Sequence, residues 1–405
     1  MRVARQTADL VIVGAGTVGG WASYFGRKNG ARRVVVLEKD LAGQGASSRA
    51  AGVVRAQGGM RETVALGRWS IGFYRRQRDE LGTDSGFREL GYLILAVTKT
   101  DERAGRERVE MQRRAGLDVE WLSAEEARRV NPTLSADGYR GGSYLPTDGC
   151  INPPRNVQAY CLAMQRMRVD LRERTPFVGI TTKRGRGGSS VLTGVETPDA
   201  VIATERLILT GGPRLRDVGK LLGLPIPAGG ARHQVVVSEP HEAFDVDRLP
   251  MVFDIGAGLY WRLEEGGLLW GMSNPKEAPG PARTIDWTYL RTMRRRLARF
   301  VPITRDLGIR KAWAATIDYT PDHLPIVGPA IRPDGSAIEG VTVASPGGHG
   351  MMWGPAVARI AVDLALKGRT NLTDVGDLGL DRFDAQGHSR FYDPVALPFP
   401  VSFDD

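Results

Sequence analysis

Two short apolar runs near the start of the chain, Leu10–Val13 and Val34–Leu37, contain no polar position. Four consecutive branched aliphatic residues are the pattern of a strand buried on both faces, as in a parallel sheet. Between them lie Gly14-Ala15-Gly16-Thr17-Val18-Gly19-Gly20 and a helix-like stretch over 21–29, with Gly30 placed to end it. Glu38, Lys39 and Asp40 close the second run. Strand, glycine turn, helix, strand and acid follow the order of a βαβ unit. Further strands are expected at 92–97, 207–210, 234–238, 268–271 and 340–344. A small β excursion is expected over 181–204, turning at Gly185-Arg186-Gly187-Gly188. Ser123-Ala124-Glu125-Glu126 reads as a capping box opening a helix that stops before Pro132. In Trp287–Phe300, Leu290, Met293, Leu297 and Phe300 share one helical face and the arginines take the other. No internal repeat and no long linker is present, which points to interleaved domains.

The glycine turn has a chemistry of its own. Gly14 permits the tight turn, Gly16 a close backbone approach to a pyrophosphate, and Gly19 contact between helix and strand, with Ala15, Thr17 and Val18 filling the turn. The phosphate charge would rest at the helix N-terminus, where unpaired N–H groups point. Glu38, 19 residues after Gly19, can accept from ribose hydroxyls beside Lys39. An acid there favours a free 2′-hydroxyl, which fits NAD or FAD alike.

Composition narrows the class. The 405 residues are 42% hydrophobic and 25% charged, which excludes wholesale disorder and a collagen-like fibre. Two cysteines, Cys150 and Cys161, and five histidines cannot build a disulfide scaffold or a zinc ribbon, and imply a reducing, cytoplasmic compartment. The basic, then apolar N-terminus is too short in its apolar run for a targeting peptide, and no run is long enough to span a membrane. The net charge is +9, and only eight of the 55 basic residues are lysine. The arginines are mixed with acids or lie on helix faces, so solvated surface is favoured over a nucleic-acid footprint.

Three separated patches are more specific. They are Ala46-Ser47-Ser48-Arg49-Ala50-Ala51-Gly52-Val53-Val54-Arg55; the segment 258–271, read as a hairpin turning at Gly266-Gly267; and Tyr319-Thr320-Pro321-Asp322-His323-Leu324-Pro325 followed by Ser345-Pro346-Gly347-Gly348-His349-Gly350-Met351-Met352. Together they resemble the D-amino-acid-oxidase-like superfamily of FAD oxidoreductases, with the nearest likeness to sarcosine oxidases and the β subunits of sarcosine oxidase and proline dehydrogenase. The resemblance covers nearly the whole chain. It implies FAD rather than NAD. Gly14, Gly16 and Gly19 match the pyrophosphate turn and Glu38 the ribose acid. Ser47, Ser48, Arg49 and Gly52 match the loop beside the cofactor, and Val178 a strand meeting the adenine. Thr210, Gly211 and Gly212 match the turn near the ribityl chain. Gly348, His349, Gly350, Met351 and Met352 match the loop at the flavin ring, where the following helix would aim N–H groups at the pyrimidine edge.

The resemblance further implies oxidation of a C–N bond by hydride transfer to flavin N5, with the imine hydrolysing in water. The positioning groups would be Arg55 as a carboxylate clamp, Tyr260 and Arg262 on one strand face, Asp318 and His349. Several positions depart from the pattern. Ala315 stands where monomeric sarcosine oxidase has its tethering cysteine, and Arg49 where dimethylglycine-dehydrogenase-like enzymes have a tethering histidine, so FAD is expected to be non-covalent. Met352 and Ile317 replace two carboxylate anchors, and Leu269 replaces an oxygen-activating lysine. A secondary or N-substituted amine is therefore favoured.

The expected architecture is α/β: a glutathione-reductase-type Rossmann FAD domain (1–88, 146–228 and 312–405), interrupted by an α+β, mixed-sheet substrate-binding domain (89–145 and 229–311). Expected partners are an amine or amino-acid substrate and oxygen or another electron acceptor, with a homo-oligomer or an electron-accepting partner left open. No metal and no membrane span are expected. The alternatives are a dehydrogenase component feeding a partner or quinone, an RNA-modifying flavoprotein suggested by the +9 charge, and a nucleotide-keeping binding module without catalysis.

Overall fold

The computed structural model describes residues 6–395, so the outermost parts of the expected stretches 1–88 and 312–405 lie outside the described residues. The all-apolar runs form the middle of a ten-stranded sheet. Leu10–Val13 lies between Val34–Leu37 and Leu207–Leu209, parallel to both, with Ile12 opposite Val36 and Ile208. Leu207–Leu209 also runs parallel to Ala337–Ser345. The helix Thr17–Lys28 starts four residues earlier than its apolar pattern suggested, because the second half of the glycine turn is already helical. It packs against the last long helix, Gly350–Lys367, so closely that a Cβ on Gly354 would come within 2.9 Å of Thr17 Cγ2. Trp21 and Trp353 are fully buried in this layer.

A second, eight-stranded sheet runs in the order Ile309–Tyr319, Gly229–Ser238, Gly267–Ser273, Leu259–Glu264, Met251–Asp254, Tyr92–Ala96, Gly141–Leu145 and Glu120–Ser123. It is mixed: Met251–Asp254 and Tyr92–Ala96 are parallel, and their neighbours antiparallel. The helix Trp287–Phe300 covers one face, burying Leu290, Met293, Leu297 and Phe300, the last stacked on Trp261 at 5.5 Å. The opposite face carries Tyr92, Phe253 and Tyr260. The expected α/β class with a mixed second sheet is therefore the observed one. Ser123 caps the helix Ala124–Val130 through both bonds of a capping box with Glu126.

One boundary differs from expectation. The hairpin turns at Glu265-Gly266 rather than Gly266-Gly267: Glu264 pairs with Gly267, and both turn residues have positive φ (51° and 76°). Such a two-residue turn matches the strand twist, and Glu265 bears the left-handed conformation that a glycine would adopt more readily. Residue 312 lies inside a strand, because the ladder between Gly229–Ser238 and Ile309–Tyr319 continues from Ile309 to Tyr319.

The Thr320–Leu324 turn is locked from beneath. Arg382 makes a bidentate pair with Asp322, Nε to Oδ2 at 2.7 Å and Nη2 to Oδ1 at 3.1 Å, with both side chains 1% exposed. Removing the cation alone would strand a buried carboxylate. Arg382→Ala is expected to lower unfolding stability by about 3–5 kcal/mol, measured by denaturant titration. A loss within error of zero would show the pair to be dispensable.

Candidate functional site

The two sheets flank a cavity of about 710 Å³. Its floor begins at the glycine turn. Gly14 has φ +95°, and a Cβ there would come within 2.5 Å of Thr210 Oγ1; one on Gly19 would lie 1.8 Å from the Gly14 carbonyl oxygen. No side chain larger than hydrogen fits either position. Thr210 Oγ1 donates to the Val13 carbonyl at 2.5 Å, and Gly211 and Gly212 follow with φ of 55° and 51°. Ser47 Oγ accepts from Thr17 N–H at 2.9 Å. Glu38 uses one carboxylate oxygen on the Ala15 N–H and the other on the Asp40 N–H, each at 2.9 Å, so it braces the turn as well as facing the cavity.

Two helices end on this cavity without a side-chain cap and without an acid in their first turn: Thr17–Lys28 and Gly350–Lys367. The helices starting at Lys99, Ala124, Pro153 and Trp287 are instead capped by Thr98, Ser123, Asn152 and Asp286. Uncapped amide donors and uncompensated helix dipoles at both places suit an elongated ligand with a pyrophosphate at one end and an electron-rich ring edge at the other.

The loop before the second helix is built by its neighbours. Asp318 accepts from Ser345 Oγ at 2.9 Å and from the Gly347 and Gly348 N–H groups, and burial raises its carboxyl pKa. His349 Nδ1–H donates to the Gly347 carbonyl at 3.0 Å, which leaves Nε2 as an acceptor, and the ring lies 4.3 Å from that of Trp353. Burial, aided by the Arg55 charge, pulls His349 down to about 3, so it is neutral.

At this end of the cavity the second sheet contributes Tyr92, His233, Phe253 and Tyr260. His233 Nε2 lies 2.6 Å from Tyr260 Oη and Nδ1 2.9 Å from Ser273 Oγ. Burial lowers His233 to about 4 and raises Tyr260 far above its usual value, so the pair is uncharged. His233 carried no signal in the sequence because its strand reads as apolar only from Gln234 onward; the ladder extends it back to Gly229. Tyr92 read there as an ordinary strand residue, and Phe253 carried no reading at all.

Most of the expected site residues line the cavity: Arg55, Tyr260, Asp318 and His349, together with the turn, the Ser47–Arg49 loop and the residues from Gly348 to Met352. Ala15, Gly19 and Ser48 stand behind it as supports. Val178 is outside the lining and 43% exposed, tied by its N–H to the Glu196 carbonyl. Arg262 shares a strand face with Tyr260 but is not available to substrate. Its Nε donates to the Ala51 carbonyl at 2.9 Å and its Nη1 to the Leu263 carbonyl at 2.8 Å, beside an ion pair with Glu264. Among the described residues no helix is long and apolar enough to cross a membrane, and no cluster of His, Cys, Asp and Glu could hold a metal.

Comparison with known proteins bears on what this cavity holds. The family described as DAO, FAD dependent oxidoreductase, matches residues 9–364. The chain is 26% identical over 395 residues to 4-methylaminobutanoate oxidase (formaldehyde-forming) of Paenarthrobacter nicotinovorans, covering 94% of this chain and 46% of that one. It is 28% identical over 384 residues to mitochondrial dimethylglycine dehydrogenase of Rattus norvegicus, covering 90% of this chain and 43% of that one. The chain thus spans less than half the length of these curated relatives. The fold of L-proline dehydrogenase from P. horikoshii superposes with a TM-score of 0.85 at 24% identity, covering 95% of this chain and 100% of that one. FAD fits the residues present: the side-chain-free turn and first uncapped helix suit its pyrophosphate, Glu38 its ribose, and the second uncapped helix the pyrimidine edge of its ring.

Two outcomes follow. Gly19→Val is expected to abolish the visible flavin absorption of the purified protein. Gly72→Ala, whose methyl would meet only the Arg76 guanidinium at 3.2 Å, should keep it; equal colour in the two would refute the cradle. The second concerns pH. His233 and His349 are held at about 4 and about 3, below the ordinary 6.5, so the unfolded chain binds more protons as pH falls from 6.5 towards 4 and stability drops there. Asp148, raised by burial to about 7 from 3.8, acts in the opposite sense: its contribution is present at low pH and lost as pH rises through 7. The histidine part is read by difference. His233→Gln should flatten the fall in Tm between pH 6.5 and 4, and an unchanged slope would count against a buried neutral imidazole.

Proposed function

This chain belongs to the DAO family of FAD-dependent oxidoreductases, and from that premise we propose that it oxidises the C–N bond of an amine or amino acid, secondary or N-substituted amines being preferred. The observation that carries this reading is the uncharged His233–Tyr260 pair, set among Tyr92 and Phe253 at the cavity end next to the second uncapped helix. Bound FAD supplies the two-electron acceptor for the C–H bond beside the substrate nitrogen. The residues of this chain supply the rest. The rings of Tyr92, Phe253 and Tyr260 exclude water and pack against the alkyl groups of the neutral amine. Tyr260 stays protonated and shares a hydrogen bond with His233, so Tyr260 Oη can orient the substrate nitrogen lone pair without adding charge. His349 Nε2 presents a neutral acceptor at the start of the helix. The first-turn N–H groups of Gly350 and Met351 have no acceptor one turn back and are free to face negative charge.

Non-covalent FAD is part of the proposal. Ala315 and Arg49 line the cavity at the two positions where relatives of this type are tethered, and neither Cys150 nor Cys161 lines it. Both thiols are free, which supports the cytoplasmic assignment. The same reading assigns 1–88, 146–228 and the chain after Tyr319 to cofactor binding, and 89–145 with 229–319 to the substrate. One observation favours a dehydrogenase that hands electrons to a partner rather than to oxygen. Leu269 is 1% exposed and packs in an apolar cluster, so no cation stands at the place of the oxygen-activating lysine.

The test is anaerobic bleaching of the flavin by a panel of secondary amines, N-methyl amino acids and D-amino acids, with Tyr260→Phe beside the unsubstituted protein. At least one amine should bleach it, and Tyr260→Phe should slow the reduction roughly 10- to 100-fold. Pigment should be released on acid precipitation, and the reduced protein should reoxidise slowly in air. Colourless protein, or pigment that no amine bleaches, would overturn the reading.

A further inference from the structure

Arg55 lines the cavity beside Tyr92 and His349, and its charge acts on both. The charge of Arg262, already held by the Ala51 and Leu263 carbonyls, acts on Tyr260. Arg55 is 3% exposed, and its guanidinium is already engaged. Nη1 donates to the Gln57 carbonyl and Nη2 to the Val395 carbonyl, so both nitrogens of the fork that would grip a carboxylate hold main-chain oxygens of this chain. Its charge also has an internal counterpart in the fully buried Asp148, whose oxygens take the Ala56 N–H at 2.7 Å and Gln57 Nε2 at 3.2 Å.

The Val395 carbonyl is held in place by several contacts. Asp393 N–H donates to the Asp322 carbonyl at 3.0 Å. The Asp393 carboxylate takes the Gly59 N–H at 3.2 Å and the Val395 N–H at 2.8 Å. Tyr392 lies against His323 with ring centroids 4.9 Å apart. Asp393 and Val395 are both fully buried. A substrate carboxylate would have to share the fork with these two main-chain carbonyls.

Among the other basic side chains of the cavity, Lys39 pairs with Asp40, Arg214 lies 3.6 Å from Asp217, and Arg49 donates to the Gly45 carbonyl at 3.1 Å. Beside Arg55, the end of the cavity formed by Tyr92, His233, Phe253 and Tyr260 offers ring faces and neutral hydrogen-bonding groups.

We infer that Arg55 fastens the segment 392–395 as a wall of the substrate cavity instead of clamping a carboxylate, and that the substrate is an amine with no carboxylate on the carbon bearing nitrogen. The inference rests on the amine-oxidising reading and narrows it.

N-methylisopropylamine and N-methylalanine differ only by a methyl or a carboxylate on that carbon, and serve as the probes. Apparent Kd values are taken from anaerobic bleaching or from perturbation of the visible flavin spectrum of the loaded protein. The amine without carboxylate should bind at least about tenfold more tightly, equivalent to about 1.4 kcal/mol. Arg55→Gln should weaken both probes alike and lower Tm. Asp393→Ala, which loosens the wall without touching the cavity, should narrow the ratio by freeing the guanidinium for N-methylalanine. Tighter binding of N-methylalanine that Arg55→Gln selectively destroys would overturn the inference and leave the amine reading intact. If Arg55→Gln does not fold, an Asp393→Ala ratio equal to that of the unsubstituted protein overturns it as well. A flavin disturbed by neither probe overturns the amine reading, and this inference with it.

Discussion

The contact between Gly19 and the carbonyl oxygen of Gly14 sets the rest of the structure. With 1.8 Å left for a Cβ, the helix Thr17–Lys28 can sit against the strand Leu10–Val13 only if that position is glycine. The approach brings the uncapped helix end to the floor of the cavity and turns its amides towards whatever lies there. It also fixes where Gly350–Lys367 can pack, since Gly354 closes onto Thr17 with little room to spare. Two helix N-termini are thereby presented to one cavity.

Those unmet donors are balanced by care elsewhere. Four other helices carry Thr, Ser, Asn or Asp caps, and the uncapped helix Arg61–Leu81 has Glu62 in its first turn, so the two cavity helices differ in lacking both a cap and a first-turn acid. Potential charge at the aromatic end of the cavity is suppressed by different means. Burial keeps His233 and His349 neutral, and Arg55 is engaged by main-chain carbonyls. The result is a polarised cavity, with donor-rich ends of helices on one wall and a neutral aromatic wall opposite.

Much of the cofactor half was legible in the chain. Leu10–Val13, the glycine turn, Val34–Leu37 and Glu38 form a local βαβ unit whose pattern follows from short-range geometry. Trp287–Phe300 and the Ser123 capping box were equally readable, because helix periodicity and capping act over a few residues. Less was legible where long-range pairing decides. The strand Gly229–Ser238 reaches back over Gly229, Gly230 and His233, residues without strand character, because Ile309–Tyr319 pairs with them. That ladder brought His233 to the cavity. Arg262 looked like a substrate contact by strand alternation, which names a face but not the carbonyl that awaits there.

Local periodicity and residue chemistry by themselves determined the βαβ nucleotide-binding unit and the α/β class, since each depends on neighbours within about a dozen positions, whereas the 348–352 loop was matched only through the resemblance to a family. Only the tertiary structure decided which polar groups remain free. Whether Arg55 holds a substrate or a distant carbonyl, and whether His233 meets Tyr260, depends on segments hundreds or tens of residues away that the fold brings together. Burial then sets the charge of each group by the solvent it removes.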